Sequence, residues 1–352
     1  MEDVQQAEQA LVAVLALEPA RIGEVSGWLS PSDFTVPPAG LLFARLLELD
    51  AAGRRDPAEL LELLRAHGEL RRDGYPISAL VTWLDRAPVP GHVTAYGRLV
   101  VDGQVARQLG AAGVRLVQAS AGGGPARALS MAALQRALLT AARRRLASLP
   151  AAPAGPLPLP GASVLAEGPP AAEPDVVPVE LEQAELVTAG SVLVSPAAAR
   201  VARWLSAADF ASAGVGEVFA TAVSMRSGCR PVDRVTVAAE LRAGGSLVSP
   251  DLVARCEAAV PVAASVGFYA RRVLSASVQR QVAAVGATLA RLGEQRPGGT
   301  PAALDAGLAA LERLSPLSRR LRLALGSPVP APPTAAAERA AARPVAVEPA
   351  RW

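Results

Sequence analysis

This chain is written twice, and any fold it adopts must accommodate the same pattern a second time. Trp28-Leu29-Ser30-Pro31-Ser32-Asp33-Phe34 returns as Trp204-Leu205-Ser206-Ala207-Ala208-Asp209-Phe210. The correspondence extends in both directions at offsets between 173 and 177 residues. Upstream, Glu8-Gln9-Ala10 answers Glu182-Gln183-Ala184, and each opens an apolar run that ends at a proline, Pro19 or Pro196. Downstream, Leu64-Arg65 and Leu70 answer Leu241-Arg242 and Leu247, while Pro88, Tyr96 and Arg98 answer Pro261, Tyr269 and Arg271. Shared composition does not explain this. Aromatic residues make up only 3% of the chain, yet Trp28, Phe34, Phe43 and Tyr96 meet Trp204, Phe210, Phe219 and Tyr269 in order. The pattern is that of a tandem duplication whose loops vary while its helices keep their length.

Each copy reads as helices, and an all-α fold is expected. An apolar face runs over 4–17, followed by a short helix over 20–28 and another over 38–51 that stops at Gly53. Asp56-Pro57-Ala58-Glu59 supplies an N-cap, a proline at the first helical position and a glutamate placed to reach back. Further helices are expected over 77–86 and, as one long element, over 92–118. Gly122-Gly123-Gly124-Pro125 then breaks the chain before Ser130 caps a last helix to Ser148. The second copy repeats the plan, with its long helix over 266–292 and its last helix starting at Thr300-Pro301.

Four segments follow: a first repeat with a helical hairpin over 1–149, a linker over 150–179, a second repeat with a hairpin over 180–325, and a tail over 326–352. Nine prolines fall between Pro150 and Val179, with no charges beyond Glu167, Glu173 and Asp175. Such a segment has too little apolar content to pack on itself, and a disordered, semi-rigid spacer is expected. The tail shares this character, and a Pro-rich ligand role is the alternative for it.

Chemistry is sparse. The 35 basic residues are all arginine, the formal net charge is +3, and so balanced a surface sets up no large field toward nucleic acid. Met1-Glu2-Asp3 is not the start of a secretory signal, and the apolar runs are too short to span a membrane, so a soluble, cytoplasmic protein is expected. Cys229 and Cys256 lie opposite Gly53 and Trp83, which argues against a shared metal or disulfide site. His67 and His92 have no counterparts in the second copy, and no Cys/His cluster has zinc spacing. No catalytic, cofactor-binding or metal-binding residue is assigned.

Two arginine clusters invite a functional reading. Arg143-Arg144-Arg145 closes the first copy, and Arg319-Arg320 with Arg322 closes the second. Guanidinium groups bind phosphates in bidentate fashion, and cations also favour helix C-termini. Both readings stand at this level. Trp28, Phe34 and Tyr96, with Trp204, Phe210 and Tyr269, sit in apolar surroundings and read as core markers of the repeats, the two tryptophans being buried beside Phe34 and Phe210.

Glu8-Gln9-Ala10-Leu11, Pro19, Trp28-Leu29, Asp33-Phe34, the run from Leu60 to Leu70, Pro88 and Tyr96 together resemble the N-terminal domain of DnaB-type replicative DNA helicases. Pro231-Val232-Asp233-Arg234-Val235-Thr236, followed by Glu240-Leu241-Arg242, is similar to the family's pattern at the equivalent helix start. The two arms of the family's helical hairpin resemble Arg98 to Ser120 and Leu129 to Leu149. The resemblance implies a non-catalytic protein-interaction module of DNA replication that binds a replicative helicase, a primase or itself. Nucleic-acid binding through the terminal arginines is the alternative. The family's ATPase domain needs a Gly-rich loop followed by lysine, and this chain has no lysine, so a helicase's name would not bring its ATPase activity here. In that family hairpins pair between neighbouring subunits. Two tethered copies imply that Leu99 to Val117 pack against Val273 to Leu289 as a pseudo-dimer.

Overall fold

The computed structural model describes residues 2–68, 77–85, 87, 92–150, 179–260, 266–294 and 299–326. Among them there is no strand, and the fold is all-α. The expectations for the linker and the tail fall almost wholly outside the described residues.

The first repeat begins with α1, Glu2–Leu17, which buries Val4, Ala7, Leu11, Leu15 and their neighbours. The following turn, Pro19–Glu24, is a 3-10 helix, shorter than the helix expected over 20–28, and the chain then reaches a second 3-10 turn at Pro31–Asp33. Next come α2, Pro37–Ala51, and α3, Pro57–Ala66. Asp56 caps α3 by accepting from Ala58 N at 2.9 Å. Glu59 does not complete the expected box, and its Oε1 lies 3.1 Å from Arg54 instead. After α4, Ile77–Leu84, the long α5 runs Val93–Gly122 and α6 runs Gly124–Ala147. The hairpin turn is tighter than the sequence suggests. Pro125 stands in the first turn of α6, where its fixed φ suits a helix start, so the helix begins six residues before Ser130.

The second repeat comprises α7, Val179–Val194; α8, Pro196–Val201; a 3-10 turn at Ala207–Asp209; α9, Ala213–Ser227; α10, Arg234–Ala243; and α11, Pro250–Ala258. The long α12 spans Val266–Gly293. Its return arm differs from α6, because α13, Thr300–Glu312, gives way to a separate α14 at Ser315–Ala324.

Two compact units result, and their borders do not follow the repeats. Unit 1 takes in the first repeat together with Ser275–Ser315 of the second, and unit 2 takes in Pro178–Leu274 and the chain from Pro316 onward. In unit 1, α1 packs on α2, α4 and α5, with Leu11, Leu15, Leu42, Phe43 and Leu46 fully buried. Here α13 packs against both α5 and α6, over a core of Leu109, Leu116, Leu139, Leu289, Leu304 and Leu311. In unit 2, α7 packs on α9 and α11 around Val187, Val192, Val218, Phe219 and Val253. Each unit removes a long series of aliphatic side chains from water, the main favourable term in forming it.

Candidate functional site

Each repeat is organised around a turn fastened by acids. In the first, the Glu8 carboxylate is fully buried and accepts from Thr35 N at 2.6 Å and Val36 N at 2.8 Å. Asp33, 1% exposed, accepts from Ser30 N at 2.8 Å and closes the 3-10 turn. In the second repeat, Glu185 accepts from Ala211 N at 2.5 Å and Ser212 N at 3.1 Å, and Asp209 accepts from Ser206 N at 2.7 Å. This fixes the register of the first helices: Glu8 corresponds to Glu185, three residues beyond the Glu182 that the sequence comparison pairs with it. Glu182 is a surface residue, 2.8 Å from Arg255. A buried carboxylate needs partners, and only Glu185 finds backbone amides.

The arginine clusters divide according to what their heads meet. Arg145 reaches back to donate to Asp33 Oδ1 at 2.7 Å, to Asp33 Oδ2 at 2.5 Å and to the carbonyl of Trp28 at 2.9 Å. Its hydrogen bonds and charge interaction with Asp33 raise the pKa of this guanidinium. Arg320 reaches back to the equivalent turn of the second repeat, pairing with Asp209 and donating to the carbonyl of Trp204 at 2.7 Å. Arg143 lies 2.8 Å from Asp305, and Arg322 donates to the carbonyl of Ser318 at 3.1 Å. Arg144 and Arg319 are exposed. Arg107 also fastens the first turn, donating to Thr35 Oγ1 and the Asp33 carbonyl, and burial lowers its pKa.

Among the core markers, Phe34 and Phe43 have ring centroids 5.1 Å apart, matched by 5.0 Å for Phe210 and Phe219. Tyr96 and Phe210 are buried, whereas Phe34, Trp28, Trp204 and Tyr269 are only half-buried. The expectation that both tryptophans are core is therefore revised. Trp28 lies along α5 at Gly97 and donates its Nε1 hydrogen to the Glu24 carbonyl at 2.9 Å, which keeps one edge of the indole at the surface.

The second feature is a seam inside unit 1 where α5 meets the C-terminal half of α12. A Cβ built on Gly113 would stand 2.5 Å from Ala290 N, one on Gly286 would stand 2.9 Å from the Gly113 carbonyl, and one on Gly293 would stand 2.5 Å from Gly110 N. Only glycine permits this backbone approach. Alongside it, Arg136 pairs with Glu312 at 2.5 Å and, with Arg143–Asp305, bridges α6 to α13. The sequence-based pairing of 99–117 with 273–289 thus finds contacts in this seam, which runs on to Gly293. Its glycines escaped the sequence reading because a glycine within a helix looks like composition until its neighbour is known.

Between α5 and α6 a groove of about 510 Å³ is lined by Arg107, Arg115 and Arg145 with Gln104, Gln108 and Gln135. Two of its three arginines are turned toward the Asp33 turn. Among the described residues no group of His, Cys, Asp and Glu is placed to hold a metal ion, and no helix is long and apolar enough to cross a membrane. Cys229 is exposed and Cys256 buried, and burial pushes the Cys256 thiol up to about 11.

The family described as DnaB-like helicase N terminal domain matches residues 1–102 and again residues 177–275, together more than half of the chain. The chain belongs to this family. No curated protein and no solved structure matches it. The two DnaB-like matches fall one on the N-terminal part of each repeat and end inside the long helices, at residue 102 of α5 and residue 275 of α12. Most of each hairpin therefore lies beyond the matched residues. A DnaB-like N-terminal domain written twice makes the chain a helicase-related replication module.

Proposed function

We propose that this chain is a non-catalytic adaptor of DNA replication that docks a replicative helicase or a primase through the surfaces of its two N-terminal-type domains. The observation that carries the proposal is the double family match, in a chain whose sequence offers no lysine for a phosphate loop of the usual form. The equivalent residues Leu17 and Val194, both at the ends of first helices, are 50% and 54% exposed, so the repeats offer an apolar side chain at the same position. Recurrence of an exposed apolar residue supports a binding role more than a single one does. The pairing of α5 with α12 within one chain supports a reading in which the domain surfaces serve partners.

Binding of the purified chain to the purified helicase and primase of its own host, at moderate and high salt, tests the reading. Saturable binding to either one that survives high salt is expected, with nucleoside triphosphatase activity at background. Binding to DNA alone, with a steep salt dependence, would favour the arginine clusters as phosphate contacts and overturn it.

A further inference from the structure

The hairpin seam within unit 1 relates two helices of common origin, so its contacts can be compared with their own mirror images. The offset of 173 that joins Tyr96 to Tyr269 also joins Gly113 to Gly286 and Val117 to Ala290. Gly113 approaches Ala290, and Val117 approaches Gly286, so these contacts exchange under the repeat relation and the seam has a local two-fold at Gly113 and Gly286. The same offset joins Gly110 to Ala283 and Ser120 to Gly293. Here the symmetry fails. Under the offset, the tight crossing of Gly110 with Gly293 is related to the positions of Ser120 and Ala283, both of which carry side chains.

We propose that the two hairpins are obligate unlike partners: the first repeat's hairpin is shaped to pair with the second's and rejects its own kind. Pairing α5 with a second α5 in this geometry would put Ser120 where Gly293 stands, with a Cβ 2.5 Å from the backbone nitrogen of Gly110, and would do so at both ends of the seam. Pairing α12 with a second α12 raises no such clash, because a Cβ at position 110 meets nothing within 4 Å. Charge opposes that arrangement instead. Arg136 and Arg143 on α6 meet Glu312 and Asp305 on α13 with a spacing of seven residues on each helix. The offset of 175 that joins Arg145 to Arg320 replaces Arg136 by Leu311 and Arg143 by Ser318, so a like pair of second hairpins leaves both acids without their arginines. Exposed ion pairs add little affinity, but their loss in the wrong pairing still discriminates between partners. Steric fit disfavours one like pair, and charge the other.

Val114 and Ala287 are equivalent, exposed and beside the local two-fold, so in a like pair either residue would stand next to its own copy. Full-length chains with Cys229→Gly as background, to remove the exposed thiol, can carry Val114→Cys, Ala287→Cys or both, and be treated with a short bis-maleimide. Only the doubly substituted chain is expected to cross-link, with a product of single-chain mass. Covalent dimers from either singly substituted chain, or no cross-link in the doubly substituted one, would overturn the proposal.

Discussion

At the scale of single residues, the fold depends on charges that the sequence displays without revealing their role. Asp33 is buried, and Arg145 is its cation, itself partly open to solvent. Removing the arginine strands a carboxylate in the interior, a mechanism whose cost is discounted here by the solvent that reaches Arg145. Arg145→Ala should lower stability by about 2 kcal/mol, and the double change Arg145→Ala with Asp33→Asn should cost less than the single one. Denaturant titration of the two variants checks this, and equal losses would mean that the pair does not act as a clasp. Cys229 offers the opposite case. It has φ +53 and occupies the place of Gly53, whose φ is +68. A side chain in the left-handed region costs about 1 kcal/mol, so Cys229→Gly should raise the unfolding free energy by about that amount. Arginine runs at helix ends and a cysteine opposite a glycine are visible in sequence. Which acid an arginine meets, or which φ a residue adopts, is decided by chain segments more than a hundred residues away or by the local turn.

At the scale of elements, the succession of helices was legible and their type and junctions less so. Asp56 and Asp233 cap α3 and α10 as the Asp-x-x signals indicate, and Thr236 completes the box that Glu59 does not. The first turn after α1 is 3-10, and α6 starts at Gly124, because Pro19 and Pro125 open tight helical turns where a break was expected. The three-residue slip between Glu182 and Glu185 arose because Glu-Gln-Ala recurs in the letters, whereas the buried carboxylate holding backbone amides recurs in space. Within α5, Asp102 carries a cost that only the packed helix shows. Burial, opposed by the charge of Arg98, raises its pKa to about 6 from 3.8. The folded state therefore holds this proton more tightly. The associated stability is fully present below about pH 4 and is lost as pH rises through about 6. Asp102→Asn should accordingly stabilise the protein by about 2 kcal/mol at pH 7.5 and leave it unchanged near pH 4. Thermal unfolding at both pH values measures this, and an equal gain at the two would refute the assignment.

At the scale of the whole molecule, the duplication was legible and the exchange of the hairpin was legible only as an expectation. Sequence places a hairpin after each repeat, and the structure assigns Ser275–Ser315 of the second hairpin to unit 1. The consequence is a unit 1 that neither repeat builds alone, held by the glycine seam and by the Arg136–Glu312 and Arg143–Asp305 pairs. A specific protease site inserted after Val164 allows the folded chain to be cut between its repeats, and size-exclusion chromatography of the cut protein under native conditions tests this directly. The two fragments should elute together at the position of the intact chain and separate only in denaturant. Two separate native peaks would contradict a unit assembled from both repeats.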